Sequence, residues 1–560
     1  MLFSQLLVVM VVAIAIAIFA ERRNIQAPLL IALVGLAASY LPFMPRFELE
    51  PHVILSIVLP PLLYSAASEF SLVSFLQRLR SITNLGVLLV VVTTGFVGGV
   101  AAMVIPGMTL PVALVLAAVI SPPDAVTATA IGRKLHLPNR LMTVLKGESL
   151  INDAAALTLF SFAVGAVTGA PLFIGNVWLY FLYSGVGGIL VGLLLGRLIH
   201  LMRRRMSNPS LATALTVIVP FAAYLVAEEL HASGVLAVVA AGFALGHSAG
   251  EANYATRIQE RQTWRTIDTL LEAFVFAYIG LQLRFAIEES VSSGFDLWQV
   301  LAISAVVLVA VTAIRIVWVF GSAALGRWRY RRHRARLKQP ETIERLRRQA
   351  ATDAERAALA PKARRRRPAA VPEPFSWREN LIVAWTGMRG VVTLAAAAGI
   401  PLTLMNGEPF PGRDIIQAVA FLVTIGTLLI QGLTLPWLIA RLKVVDPGQA
   451  AREARQRERA ESIARTASEQ AIRDYQATTT DPLSQRAAEA MLKRVGASRE
   501  PAAEPQKFGP FIVLAGATLA ARRRALIEAR DRGDLDDEIM REALERMDLE
   551  EAAMANWRAP

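Results

Sequence analysis

Between Met1 and about Leu442 the apolar residues fall into blocks such as LLVVMVVAIAIAIFA, NLGVLLVVVTTGFVGGVAAMVI and GVGGILVGLLLGRLI. The spans these blocks belong to, most of them roughly 17–25 residues long, match a helix crossing about 30 Å of hydrocarbon. In lipid each segment must satisfy its own backbone, and for single apolar blocks only helix does so. About thirteen spans are expected, near residues 2–20, 25–42, 53–70, 82–105, 110–131, 141–167, 176–201, 211–229, 232–248, 266–284, 297–324, 379–402 and 414–440. The expected fold class is therefore an all-α polytopic membrane protein. The first block lacks a basic start, and ERR follows it without a small-residue cleavage site, so it reads as a retained span. With no cysteine in the chain, disulfides, thiol catalysis and Cys-ligated metals are excluded.

The loops give orientation. Alternate ones are basic: Arg22 and Arg23; Arg78 and Arg80; Arg133, Lys134 and Arg140; Arg203, Arg204 and Arg205; Arg257, Arg261 and Arg265; and the long segment from Arg327 to Arg378. Those between them (PRFELEPH, PGMTLP, GAPLFIGN, EELHAS and RFAIEESVSSGFD) are short and neutral or acidic. Lys and Arg collect on cytoplasmic loops, which places the N-terminus outside and the C-terminus in the cytoplasm. The same rule explains the net charge of +13, concentrated in RRHRAR and KARRRRP, so no nucleic-acid partner is expected. These runs also suit anionic membrane lipids. Two domains follow: a transmembrane region, 1–442, with a cytoplasmic basic loop at 327–378, and a charged, Ala-rich helical cytoplasmic tail, 443–560. FGPFIVLAGATLAA in that tail is too short to span; it reads as a helix packed within the tail or lying against the membrane.

Charge inside the membrane costs at least about 2.5–3.5 kcal/mol at its centre, so the polar islands in the spans need a reason. KGESLINDAAALTLF, from Lys146 to Phe160, holds the largest. On a helix Ser149 and Asp153 share one face, while Glu148 and Asn152 share the next. In AAVISPPDAVTATAI, Pro122 and Pro123 remove two backbone donors, which predicts an unwound break with Asp124 at mid-depth. In AWTGMRGVVTLAAAAGI, Gly387 and Gly390 flank Arg389. A lone Pro pair or Gly pair is usually a packing kink. Interrupted helices in both halves of a chain, with carboxylates in the same and adjacent helices, point instead to a transporter site between inverted repeats.

Two rivals fit less well. Asp124 and Asp153 lack the Tyr-Asp or Gly-x-Gly-Asp context of an intramembrane aspartyl protease, so no enzyme is expected. A cation channel would use rings of like side chains along a continuous pore. Gly188, Gly192 and Gly196 form a face for close helix contact, within or between protomers.

The segments ESLINDA, HASGVLAVVAAGFALG, FVFAYIGLQL, GMRGVVTLAAA and FPGRDIIQ…QGLTLP resemble, in order, motifs of the monovalent cation/proton antiporter family of the electroneutral type. RDRGDLDDEIMREALERMDLEE resembles tails of its bacterial sodium/proton members. The resemblance implies inverted repeats with two crossing broken helices, and a homodimer of six-helix cores beside a dimerisation domain. It implies exchange of Na⁺, or alternatively K⁺, for H⁺ across a bacterial inner membrane in pH homeostasis, with no cofactor beyond the transported ions. It assigns Asp153 as the carboxylate that binds either cation or proton, with Asn152 beside it and Asp124, Glu148 and Ser149 as further members. Na⁺ would be held through Asp153 and Asp124. It also implies two buried ion pairs, Glu148 with Arg315 and Glu272 with Arg389. One departure stands out: the family's Thr-Asp-Pro is Pro123-Asp124-Ala125 here, leaving Ser121 or a water to replace the threonine hydroxyl. Asn152, where a second aspartate would add charge, argues for one-for-one exchange.

Overall fold

The computed structural model describes residues 2–23, 26–41, 54–169, 176–206, 208–337, 374–444, 446, 448–496 and 509–556. The acidic loop PRFELEPH and most of the basic loop, from residue 338 to 373, lie outside them, as does most of GAPLFIGN. Among the described residues regular structure is helical, apart from one isolated bridge between Thr403 and Pro409.

In chain order the first helices are α1 (Leu2–Arg22), α2 (Ala27–Ser39), α3 (Leu59–Glu69), α4 (Leu72–Thr83) and α5 (Leu89–Val104). Next come α6 (Leu110–Ile120), α7 (Val126–Lys134), α8 (Asn139–Thr168), α9 (Val177–Arg203), α10 (Pro209–Glu229) and α11 (Gly234–Ser248). Then follow α12 (Tyr254–Ser292), α13 (Leu297–Leu337), α14 (Trp377–Trp385), α15 (Val391–Ala398), α16 (Arg413–Thr427) and α17 (Leu433–Leu442). The tail adds α18 (Gln449–Thr478), α19 (Pro482–Gly496), α20 (Gly509–Asp531) and α21 (Asp537–Asn556).

Among the described residues eight helical segments are long and apolar enough to cross a membrane, and Ala27–Ser39, Ile54–Glu69 and Leu110–Ile120 are shorter apolar helices. The other five expected spans fall at α1, at the shorter helices Ala27–Ser39 and Ile54–Glu69, and at two broken helices. Two expected spans, 110–131 and 379–402, are broken into half-helices, α6 with α7 and α14 with α15, none of which is long enough alone. Two loops are also helical: Arg257, Arg261 and Arg265 lie on α12, and α13 carries its arginines on to Leu337.

The chain divides into two compact units. One comprises Met1–Leu59, Arg78–Phe181 and Thr269–Val445. In its interior α6 is buried from Val112 to Ile120, with Leu114 half-buried, as expected of a helix that is apolar all round. α14 opens with a reciprocal cap in which Ser376 and Glu379 satisfy each other's backbone N–H. Arg140, in the first turn of α8, donates Nε and Nη2 to Glu379 at 2.9 Å each, tying the starts of α8 and α14 together.

The other unit comprises Pro60–Gln77, Leu182–Asp268 and Asp446–Pro560. Here Gly188, Gly192 and Gly196 of α9 lie against α11: an added Cβ would overlap the carbonyl oxygens of Ser233 and Ala237, and at Gly196 would sit 2.7 Å from Ala244 Cβ. The glycine face is therefore used within the chain. The apolar stretch after Phe508 lies in α20, where Leu514 packs with Ile472 and Ala488, and Leu519 with Leu526, Met540 and Leu544. It is core of the tail bundle.

Candidate ion-exchange site

α6 ends at Ile120 and helix resumes only at Val126, because Pro122 and Pro123 offer no N–H to the preceding turn. α14 ends at Trp385 and α15 begins at Val391. The two breaks touch: the Asp124 N–H donates to the Met388 carbonyl at 2.6 Å. The Asp124 carboxylate lies against Gly390, so closely that a Cβ there would overlap Oδ2. Gly390 is the N-cap of α15, and Asp124 also precedes the first turn of α7. One carboxylate thus serves the positive ends of two half-helices.

Arginines occupy the negative ends. Arg389, 1% exposed, donates Nε to the Ile120 carbonyl at 2.9 Å, closing the end of α6, and Nη1 to the Gly387 carbonyl. Its own N–H donates to Thr427 Oγ1 at 3.0 Å. Arg315, 2% exposed, donates to the Val383 carbonyl from Nε (3.2 Å) and Nη2 (2.9 Å), and to the Thr386 carbonyl at 3.3 Å, closing the end of α14. Its Nη1 also meets Glu148 Oε1 at 2.5 Å. Orphan carbonyls at helix ends need such partners when buried.

α8 passes beside the first break. Asn152, fully buried, donates Nδ2 to the Pro123 carbonyl at 2.7 Å, and Ser149 Oγ accepts the Ala125 N–H at 3.3 Å. Ser121 is buried, but its hydroxyl donates back along its own helix to the Ala118 carbonyl at 3.1 Å. Asp153, one residue beyond Asn152, is partly buried. Among the described residues nothing donates to its carboxylate, and the charge that acts on it is Asp124.

The structure therefore gathers Asp124, Ser149, Asn152, Glu148, Arg315 and Arg389 around the two breaks. It gives Arg389 main-chain partners where Glu272 was expected: among the described residues the guanidinium bonds go to the carbonyls of Ile120 and Gly387. The reason is local, since the break between α6 and α7 leaves acceptors that an arginine beside it satisfies. Thr427 and the Met388 carbonyl are participants that the sequence did not signal. A threonine one residue before the π-helical turn Leu428–Gly432 has no periodic signature, and a carbonyl has none at all. The charge count is informative. Among the described residues at the breaks, two arginines and the two carboxylates Glu148 and Asp124 cancel formally, and Asp153 has Asp124 as the charge beside it.

The family model for the transmembrane sodium/hydrogen exchanger matches residues 7–441. An uncharacterized Na(+)/H(+) exchanger, Rv2287, of Mycobacterium tuberculosis is 30% identical over 576 residues, covering 99% of this chain and 97% of that one. A sodium, potassium, lithium and rubidium/H(+) antiporter of Bacillus pumilus is 29% identical, over 74% of this chain and 58% of its own length. In fold the chain is similar to the sodium proton antiporter MjNhaP1 of Methanocaldococcus jannaschii, with a TM-score of 0.59, 17% identity, and coverage of 79% of this chain and 98% of that one. The fold and the broken-helix site define a multi-pass membrane transporter. More particularly, the chain belongs to the sodium/hydrogen exchanger family, a family of antiporters and not of enzymes.

Proposed function

We propose that this chain exchanges one monovalent cation, Na⁺ first, for one proton, and that Asp153 hosts the two in turn. One observation carries the reading. Among the described residues at the contact of the two interrupted helices, Glu148, Asp124, Arg315 and Arg389 each meet an opposite charge or a helix end, and nothing donates to Asp153. Hard cations prefer oxygen ligands, and Asp153, Asp124 and Ser149 supply them. Asp153 plus one cation, or plus one proton, is neutral. Its bare form is not, and carrying that charge across the hydrocarbon is costly. A cycle that moves only when neutralised exchanges the two ions. Asn152 adds no charge and holds the Pro123 carbonyl, which suits one-for-one stoichiometry. K⁺ in place of Na⁺ is the second reading, because a relative's name includes potassium. Ser121, turned along α6, is the weakest of the candidate ligands.

The same reading sets the exchanger as a homodimer in the bacterial inner membrane, N-terminus outside and tail in the cytoplasm. The arginines of α13 beyond Arg327 then face anionic headgroups. The test is the pH jump in everted vesicles on adding Na⁺, K⁺ or Li⁺. Wild-type protein should respond to at least one of them, and Asp153→Asn to none, while eluting at the wild-type position on size exclusion. Exchange retained by Asp153→Asn removes the assignment.

A further inference from the structure

A cavity of about 230 Å³ lies between α13, the end of α14 and the π-helical turn Leu428–Gly432. All three belong to the exchange unit. Leu308, Val309 and Ile316 of α13 and Ile430 of the turn give it apolar walls. Val309 is 63% exposed and Ile430 49%. On helices that cross a bilayer such exposed apolar side chains meet lipid, so the cavity is entered from the hydrocarbon and not from water. Single π turns inside helices are frequent at functional sites, and this one follows Thr427, which also lines the cavity.

Most polar groups of the lining are already bonded. The Thr427 hydroxyl accepts the Arg389 N–H at 3.0 Å and donates to the Thr424 carbonyl at 2.9 Å. Trp385 Nε1 donates to Thr434 Oγ1 at 2.9 Å. Gln431 Nε2 donates to Thr312 Oγ1 at 3.3 Å, but Gln431 Oε1 has no partner among the described residues. Gln431 is 2% exposed, and a buried carbonyl oxygen left unbonded carries its full desolvation cost. The terminal torsion of glutamine is broad, so the amide can turn its oxygen to a donor that enters the cavity. Water is a poor occupant, because it is held by two to four polar partners and these walls are mostly apolar. An apolar body with one hydroxyl group satisfies both the walls and the amide. Size agrees: a dry cavity of about 150 Å³ admits benzene, so 230 Å³ admits a chain or ring of about six carbons with its hydroxyl.

We infer that this cavity binds a small apolar molecule bearing one hydroxyl group, an alcohol or phenol dissolved in the bilayer, which donates that hydroxyl to Gln431. The seat lies one side chain, that of Thr427, from the Arg389 main chain and so from the second break. The site does not depend on the exchange reading, because binding itself is measured. Trp385, in the lining, is the reporter. In detergent-solubilised protein, ω-bromohexanol should quench the part of the fluorescence that Trp385→Phe removes, and that quenching should saturate. Bromohexane, with the same chain but no donor, should quench only in proportion to its concentration. Gln431→Leu, close to glutamine in volume, should weaken the alcohol at least tenfold. Ala313 is exposed in the lining, and Ala313→Leu should obstruct the cavity and weaken the alcohol as much, with the amide intact. If bromohexane saturates as the alcohol does, the cavity takes any hydrocarbon, a lipid acyl chain included, and the proposal fails. It fails too if the alcohol shows no saturable quenching, or if Gln431→Leu binds it as tightly as wild type. Should Gln431→Leu not fold, Ala313→Leu decides, and wild-type affinity there overturns the site.

Discussion

The two interrupted helices arrive at similar breaks from opposite kinds of residue. Between α6 and α7 the chain is forced open: Pro122 and Pro123 withhold two N–H groups, and the Pro123 carbonyl is taken over by Asn152. Between α14 and α15 nothing is forced. Gly387 and Gly390 instead make room, since a Cβ on Gly387 would sit 2.7 Å from Arg315 Cδ and one on Gly390 would overlap the Asp124 carboxylate. The first break is made by missing donors and the second by missing side chains. Their arginines differ in the same spirit. Among the described residues Arg315 holds a carboxylate as well as carbonyls, whereas the Arg389 guanidinium holds carbonyls.

The sharpest way to test that difference is to remove each arginine. Arg315→Leu strands the Glu148 charge, and breaking a buried pair costs about 3–5 kcal/mol. Arg389→Leu strands only carbonyls, at about 1–3 kcal/mol for each unsatisfied group. The thermal midpoint of detergent-solubilised protein should therefore fall much further for Arg315→Leu. Adding Glu148→Gln to Arg315→Leu should recover most of that loss, since the two residues couple directly. Equal falls for the two arginine variants would erase the distinction.

The second break yields a smaller effect of a different kind. Overpacking costs about 1–3 kcal/mol, but at Gly390 the displaced group is the Asp124 carboxylate, so Gly390→Ala should reduce exchange by roughly tenfold or more, the equivalent of about 1.4 kcal/mol. At Gly387 the neighbour is the flexible stem of Arg315, which can shift, so Gly387→Ala should retain more activity. Cation-driven proton movement in vesicles ranks the pair. The reverse order would mean that the Asp124 position is not what Gly390 protects.

How much of this was readable in the sequence depends on how each feature is encoded. The apolar blocks and the proline pair announce themselves, because length and a missing donor are local properties of the chain. Asn152 beside Asp153 was legible as part of a polar stripe at helical spacing. The target of Asn152, a carbonyl of the neighbouring break, was not, since main-chain acceptors have no letter. Arg389 is a second case: the family resemblance pairs it with Glu272, while among the described residues its guanidinium bonds go to the Ile120 and Gly387 carbonyls. The breaks in 110–131 and 379–402 were legible from Pro and Gly and not from hydropathy, to which a broken helix looks continuous. The extension of α12 back to Tyr254 was hidden because charged residues interrupt apolar periodicity without interrupting helix.

Pro123 gives the smallest expected effect and the most direct probe of the first break. Pro123→Thr restores one N–H and adds a hydroxyl beside Asp124, but leaves the carbonyl that Asn152 holds. Pro122 remains, so one donor is still missing and the break should persist. The hydroxyl adds one oxygen to the ligand set without adding charge. Exchange should therefore continue, with apparent cation affinity changed by less than about tenfold, or 1.4 kcal/mol, and with the Na⁺-to-K⁺ preference changed more than the maximal rate. Measuring the apparent affinity for each cation in the same vesicles decides it. If Pro123→Thr abolishes exchange while Pro122→Ala does not, the break depends on the ring at 123 itself and not on the number of missing donors. The contrast drawn between the two helices would then need a rigid proline where it now has an absent N–H.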